Sequence, residues 1–168
     1  SPPNISSTDN ISEILLKCKS KNLTNGVQSF SEISDDSIDI IFSQAVLEHV
    51  SRQDFFKLAE ECYRVCKSKA ICSHQVDLRD HLGGGLNNLR FSNKVWESDF
   101  FKKSGFYTNR IQYDEILKIF KKAGFSCNEY SVNRWDNLPL SKNKLSNEFK
   151  HLSLENLKVK SFDVILKK

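Results

Sequence analysis

A segment with strand character that begins at Lys69 ends in four ionisable side chains. His74, Asp77, Asp80 and His81 fall at or just beyond its end, and the carboxyl ends of strands are where ligands bind in open α/β sheets. A histidine in this position is suited to accept a proton near neutral pH. We therefore take His81, His74 and Asp80, in that order, as catalytic candidates. The alternative is a hydrogen-bonded network that only holds the loop.

Glu48 and His49 occupy a similar position after the apolar run 38–43. A carboxylate and an imidazole are suitable ligands for a divalent metal, for which His74 or His81 would have to complete the set. A structural His49 that hydrogen-bonds to the backbone is the interpretation that we favour. We therefore predict no metal site.

Arginine and aromatic side chains are concentrated in residues 79–112, which also contain Gly83-Gly84-Gly85. A segment of this length without a clear period is typical of an active-site lid or a binding excursion. The glycines lack the spacing of a dinucleotide-binding loop and suit a hinge instead. Arginine binds carboxylates or phosphates and aromatic rings stack on sugars, so the segment predicts an acceptor pocket. The candidate substrate-binding residues are Arg90, Trp96, Tyr107, Asn109 and Arg110; a core or solvated role is the alternative for each.

Periodicity and turn residues predict the elements that position these groups. Residues 38–43 predict a buried strand, and 69–78 a second strand parallel to it across a helix that Ser51 and Asp54 begin. Asn10 and Glu13 have the spacing of a capping box at the start of another helix. The remaining predictions are a short strand at 27–30, a turn at 34–37, a helix at 113–123 that Gly124 ends, strands near 125–134 and 161–167, and a helix around 145–152.

Composition narrows the class of protein. The 168 residues carry 25 basic and 21 acidic side chains, spread without the basic cluster that nucleic acid binding requires. No apolar run approaches the roughly 20 residues of a membrane helix. Five cysteines without a C-x-x-C pair indicate a reducing, cytoplasmic setting. Residues 1–9 are expected to be poorly ordered, and the absence of methionine suggests a fragment or processed chain.

Three quoted stretches carry a family resemblance: "DDSIDIIFSQAVLEHV", then "ECYRVCKSKAICSHQVDLRDH", then "AGF" at the end of the next helix. They resemble the later half of class I S-adenosylmethionine-dependent methyltransferases. The combination "SHQVDLRDHLGGGLNNLRFSNKVWESDF" and "SGFYTNRIQYDE" is similar to a bacterial subgroup. The resemblance implies an α/β fold: residues 10–168 form a partial Rossmann-like methyltransferase sheet with an antiparallel terminal hairpin, lacking the glycine-rich first strand and loop.

The cofactor that the resemblance implies is S-adenosylmethionine, and the acceptor a small molecule, for which a saccharide is our guess. The matching positions for cofactor contacts are Ser43, Gln44, Ala45 and Val46; packing against the next helix is the alternative for each. The chain departs from the family at residues 66–69, where the family has a Pro-Gly-Gly-like turn.

The second departure from the family concerns the cofactor's ribose. The acidic residue that binds its hydroxyls in the family is absent, and each charge-assisted hydrogen bond is worth about 1.5–3 kcal/mol. Losing two would weaken binding by roughly a hundred- to ten-thousandfold. We expect this chain alone to bind the cofactor poorly.

The alternatives to a methyltransferase are a scaffold module and an oxidoreductase. A non-catalytic scaffold module would self-associate into a homodimer through an exposed sheet edge. A nicotinamide-dependent oxidoreductase would require a phosphate-binding glycine loop that this sequence lacks.

Overall fold

A computed structural model describes residues 2–168. The chain divides into two compact units, one up to Ile33 and one from Ser34 to Lys168, and each is described by itself. The first contains helix α1, Ile11–Lys17. Its predicted capping box is confirmed, because the Glu13 amide donates to the Asn10 side chain and the Asn10 amide donates to the Glu13 carboxylate.

The short strand predicted at 27–30 is wrong, because Gly26–Glu32 forms a 3-10 helix. Local side chains satisfy the backbone there: the Asn25 amide donates to Ser29 Oγ at 2.9 Å, and Ser31 Oγ donates to the Gln28 carbonyl at 2.8 Å. Such local bonds compete with pairing into a sheet. The expectation for residues 1–9 remains a prediction, and Ser1 lies outside the described residues.

The second unit is built on a mixed sheet of four strands, in the order β1-β2-β4-β3. Its strands are β1 Ile38–Gln44, β2 Cys66–Asp77, β3 Ser126–Arg134 and β4 Val159–Lys167. Strands β1 and β2 are parallel, and β4 is antiparallel to both of its neighbours. The predicted parallel pair and terminal hairpin are therefore confirmed.

Helix α2, Arg52–Val65, connects the parallel strands and starts where predicted, because Ser51 Oγ accepts from the Asp54 amide. Residues 79–112 form an irregular segment with two single-turn helices, α3 Asn93–Trp96 and α4 Asp99–Lys102. Helix α5, Tyr113–Ala123, then leads back to β3. Gly124 ends it with a φ of +113°, and a Cβ there would lie 2.7 Å from the Tyr63 ring, so the stop signal is both conformational and steric.

One face of the sheet is covered and the other is exposed. Phe55 of α2 and Phe120 of α5 are buried against each other with ring centroids 5.9 Å apart, over inward side chains of β2 such as Val76. The prediction of a buried β1 is wrong: Ile40 and Phe42 are 68% and 80% exposed. Alternate side chains of a strand point to opposite faces, and β1 is the sheet's edge among the described residues.

The predicted helix around 145–152 is also wrong as a continuous element. A 3-10 turn, Asn147–Phe149, is followed by the short helix α6, Leu154–Leu157, which Ser153 caps. The apolar side chains of this region pack in one cluster with residues 86 and 89, so tertiary packing and not helical periodicity determines their spacing. No helix within residues 2–168 has the length and apolar character needed to cross a membrane.

Candidate active site

The carboxyl ends of β1 and β2 meet at one edge of the sheet, which we call the carboxyl edge. Ser43 and Gln44 are the last residues of β1 and lie opposite His74 and Gln75 of β2. Ala45 follows with a φ of +49° while its amide donates to the Gln75 carbonyl at 3.1 Å. A non-glycine residue in this conformation is uncommon, and it turns the chain sharply at the strand end. Gln44, Ala45 and Val46 are exposed and Ser43 is half-buried.

Glu48 lies beneath this edge and is only 3% exposed. Burial raises the pKa of its carboxyl group, which favours the protonated form. Its Oε2 atom has no hydrogen-bond partner among the described residues. The side chain lines a cavity of about 10 Å³, together with Asp77 at the end of β2 and with Asn88 and Arg110 from the irregular segment.

His49 and His81 are exposed at the carboxyl edge, with ring centroids 5.0 Å apart. Nδ1 of His49 lies 3.2 Å from the Tyr107 carbonyl oxygen, the kind of backbone contact expected for this residue. Nδ1 of His81 lies 3.4 Å from the Gly105 carbonyl oxygen. Two solvent-accessible imidazoles therefore lie where parallel strands end.

His74 is enclosed in the core, in contrast to its sequence-based interpretation as a base at a ligand site. It is 3% exposed, its ring stacks on Phe120, and Nδ1 lies 2.8 Å from Ser43 Oγ. Burial lowers its pKa to about 4, so the ring is neutral at pH 7. A ring in this position does not reach an acceptor, because it points from β2 toward the covered face.

The depressed pKa of His74 predicts a pH dependence of stability. Between pH 6.5 and pH 4 the unfolded chain takes up a proton here that the folded chain does not. The free energy of unfolding should therefore fall by about 3 kcal/mol as the pH drops through that window. Urea unfolding at a series of pH values measures this slope. His74→Phe, which keeps an aromatic ring against Phe120, should flatten it, whereas the exposed control His151→Asn should not; equal slopes in parent and His74→Phe would contradict the prediction.

Asp80, the third catalytic candidate, is 2% exposed and holds the glycine turn. Its Oδ1 accepts from the Leu82 amide at 2.8 Å, and its Oδ2 accepts from the Asn87 amide. Both contacts are local. They agree with the alternative to a catalytic role, in which the Asp80 carboxylate only holds the loop in place. An acceptor molecule would not reach it without opening the turn.

Three of the predicted substrate-binding residues pack the irregular segment against the strand ends. Trp96 is fully buried and its Nε1 donates to the Thr108 carbonyl at 2.7 Å. Asn109 Nδ2 donates to the carbonyls of Leu47 and Val50, both at 2.8 Å. The Tyr107 hydroxyl donates to the Glu97 carboxylate at 3.0 Å. These contacts agree with the core alternative for Trp96 and Asn109, whose polar atoms hold the segment, and their substrate-binding role stays a prediction.

Arg110 is 4% exposed, and its hydrogen-bond partners are neutral oxygen atoms. Nη1 donates to the carbonyls of Asn88 and Phe91 at 3.2 and 2.7 Å, and Nη2 donates to Asn93 Oδ1 at 2.7 Å. Burial lowers the pKa of the guanidinium to about 10, which leaves it charged at neutral pH. Arg90, the other predicted arginine, is exposed.

Arg110 also lines a cleft of about 500 Å³ that sequence reasoning missed. The cleft lies at the start of α5 and is completed by side chains such as Arg52, Lys118 and His151. These residues come from segments that are far apart in the chain, so no local pattern could have grouped them. Within residues 2–168, no group of three or more His, Cys, Asp or Glu side chains is arranged to hold a metal ion.

Comparisons with known proteins agree with this architecture. Residues 7–73 match the family model described as a methyltransferase domain. The chain superimposes on a SAM-dependent methyltransferase from Thermotoga maritima with a TM-score of 0.51, at 18% identity over 94% of this chain and 69% of that one. For a SAM-dependent methyltransferase from Methanosarcina mazei the TM-score is 0.51, at 16% identity over 95% of this chain and 78% of that one. Among curated proteins, none matches the chain.

The fold is thus a partial Rossmann-like methyltransferase fold. Together with the family match, it supports a class I S-adenosylmethionine-dependent methyltransferase, with S-adenosylmethionine as the cofactor. The bacterial subgroup and the residues that contact the cofactor remain predictions.

Proposed function

We propose that the protein transfers the methyl group of S-adenosylmethionine to a hydroxyl group of a small molecule. The observation that carries this proposal is the carboxyl edge, where the exposed Gln44, Ala45 and Val46 adjoin the exposed imidazoles of His49 and His81. In open α/β sheets this edge is the ligand-binding edge. A donor molecule and a proton acceptor would therefore share one surface.

The reaction is a direct displacement at the methyl carbon. The acceptor oxygen forms a bond to that carbon as the carbon–sulfur bond breaks, and the sulfur leaves as S-adenosylhomocysteine with the electron pair. The acceptor's proton passes to a base, for which we propose His81, because it alone of the three catalytic candidates has an exposed side chain. Alignment of the two reactants supplies much of the acceleration in such a reaction.

The proposed acceptor is a small hydroxyl compound such as a saccharide. The cleft of about 500 Å³ beside Arg110 falls within the usual range of ligand pockets. Its wall mixes Arg52, Lys118 and His151 with the carboxylates of Asp114 and Glu148, so it suits a polar molecule with several hydroxyl groups. Arg110 also lines the small cavity beside Glu48, so the cleft and that cavity share this side chain.

We further propose that the chain as given binds the cofactor weakly. Among the described residues β1 is the edge of the sheet, and the sequence has no glycine-rich strand-to-helix loop. The missing ribose contacts alone correspond to a loss of roughly a hundred- to ten-thousandfold in affinity.

Titration of the 15N-labelled chain with S-adenosylmethionine to millimolar concentration, followed by backbone NMR shifts, tests the function. The expected result is saturable shifts that include Ser43, Gln44, Ala45 and Val46, with a millimolar dissociation constant. Ser126, which is exposed on β3 at the other edge of the sheet, is the internal control and should not shift. Absence of shifts at millimolar ligand contradicts the proposed function, whereas micromolar binding contradicts only the weak affinity.

One observation favours the scaffold alternative, in which two copies pair through β1. Phe42 and Tyr130 are 80% and 85% exposed, and both line a shallow apolar depression on the uncovered face of the sheet. Exposed edge strands invite pairing with a second chain. Sedimentation of the parent and of Phe42→Asp separates the functions, because a dimer that the substitution disrupts, without any cofactor-induced shifts, would favour the scaffold.

A further inference from the structure

Two imidazoles from distant parts of the chain converge at the carboxyl edge. His49 follows β1 and His81 follows β2, yet their ring centroids are 5.0 Å apart and their planes are inclined by 51°. Both side chains are exposed. Of the four histidines in the sequence, His74 is enclosed in the core and His151 lies outside this pair, so the pairing is specific to His49 and His81.

A short segment of backbone, residues 104–108, touches both rings through the same type of atom. We call this segment the strap. Nδ1 of His49 faces the Tyr107 carbonyl oxygen and Nδ1 of His81 faces the Gly105 carbonyl oxygen, at 3.2 and 3.4 Å. A carbonyl oxygen can only accept a hydrogen bond. A hydrogen bond at either contact therefore requires the hydrogen on Nδ1, which leaves the lone pair of a neutral ring on Nε2.

The strap is itself held in place, so these contacts are not incidental to a free loop. The Trp96 ring, fully buried, donates from Nε1 to the Thr108 carbonyl at 2.7 Å. The Tyr107 hydroxyl donates to Glu97 at 3.0 Å, and Ser104 Oγ donates to the Phe101 carbonyl at 2.7 Å. Side-chain contacts of this kind fix the direction of a backbone carbonyl, as outer contacts fix the tautomer of a histidine ligand.

We infer that His49 and His81 form a two-imidazole proton-accepting site whose basic Nε2 atoms are set by the strap. The inference deepens the proposed function and rests on it for its catalytic meaning. When the acceptor oxygen bonds to the methyl carbon, its proton passes to Nε2 of His81, and the positive charge of the sulfonium is replaced by that of an imidazolium. His49 packs beside the reacting ring, and its Nε2 atom is the second proton acceptor of the pair.

The tautomers test the inference without cofactor or acceptor. Long-range 1H–15N spectra of the full chain, recorded where the imidazoles are neutral, distinguish hydrogen on Nδ1 from hydrogen on Nε2. The variants His49→Asn and His81→Asn assign the signals, and His151 serves as the exposed reference, for which the Nε2–H form common in water is expected. Hydrogen on Nδ1 in both His49 and His81 is the expected result. Hydrogen on Nε2 in either one overturns the inference, even if the protein proves to be a methyltransferase.

A second measurement asks whether the two rings act as a pair. Diethyl pyrocarbonate acylates neutral imidazole nitrogens, and peptide mass spectrometry follows each site separately. Acylation of one ring should slow acylation of the other by about tenfold, because two bulky groups do not fit on rings with centroids 5.0 Å apart. His49→Asn should leave His81 reacting at its full initial rate until completion, and His74 should remain protected. Independent acylation of His49 and His81 in the parent would refute the pairing.

Discussion

Replacing Arg110 by alanine should lower the free energy of unfolding by about 3 kcal/mol or more. The buried carbonyl oxygen of Asn88 and the partly buried carbonyl oxygen of Phe91 would lose this donor, and a buried acceptor left without a partner costs about 1–3 kcal/mol. The guanidinium also lies 5.3 Å from the Trp96 ring centroid and 4.9 Å from that of Phe149. Its removal would therefore loosen the irregular segment from both sides.

Urea unfolding of Arg110→Ala beside Arg90→Ala measures this effect. Arg90 comes from the same segment and is exposed, so its substitution should change the free energy by less than about 0.5 kcal/mol. Arg110→Lys should fall between the two, since an ammonium group cannot reproduce the planar set of donors. If Arg110→Ala is as stable as Arg90→Ala, the Arg110 side chain does not stabilise the irregular segment. Binding of an acceptor then becomes its main function.

Arg110 illustrates why residue type alone could not settle the role of a side chain in the site. An arginine among aromatic residues in a long loop predicts recognition of an anion or a sugar, and that prediction uses the side chain's chemistry correctly. The pattern could not tell that the carbonyls of the same segment would take up its donors. The same holds for Trp96 and Asn109, because their hydrogen-bond partners are backbone atoms whose positions depend on the complete fold.

The fold itself was predicted well wherever local signals and tertiary packing agree. The cap at Ser51 and the left-handed stop at Gly124 mark helix ends through short-range contacts, and the helices begin and end there. Where the local sequence pattern and the tertiary contacts favour different structures, tertiary packing or local hydrogen bonds determine the observed one. Residues 27–30 have strand-forming side chains but lie in a 3-10 helix with local bonds, and residues 145–152 have helical spacing but contribute to an apolar cluster.

The sheet edge that forms the candidate site could be predicted from the sequence. Which side chains are exposed at that edge could not. The rule that ligands bind at the carboxyl ends of parallel strands pointed to residues 43–49 and 74–81. Alternation along β2 could place His74 on one face of the sheet, yet it could not show that α5 covers that face and buries the ring. The approach of His49 to His81 depends on the strap, which lies more than twenty residues beyond either position. No local pattern encodes such a contact.

Replacing His81 by asparagine should slow methyl transfer by about a hundred- to ten-thousandfold, the usual contribution of a general base. The effect should fall on the transfer step, because His81 lies beyond the end of β2 and outside residues 43–46 at which cofactor contacts are proposed. Asparagine is similar in size and can still donate to the Gly105 carbonyl, so the strap keeps one contact. Since His81 is exposed, the free energy of unfolding should change by less than about 0.5 kcal/mol.

The rate is measured as release of S-adenosylhomocysteine at saturating, millimolar cofactor, with the hydroxyl compound that gives the highest turnover in a screen of saccharides. His151→Asn is the matched control, because it removes an exposed imidazole outside the pair and should keep the parent rate. His49→Asn should lose less activity than His81→Asn, since the reacting ring remains. Parent-like turnover in His81→Asn would show that the acceptor's proton leaves by another route, with the buried Glu48 as the next group to test because its raised pKa lies closer to neutrality.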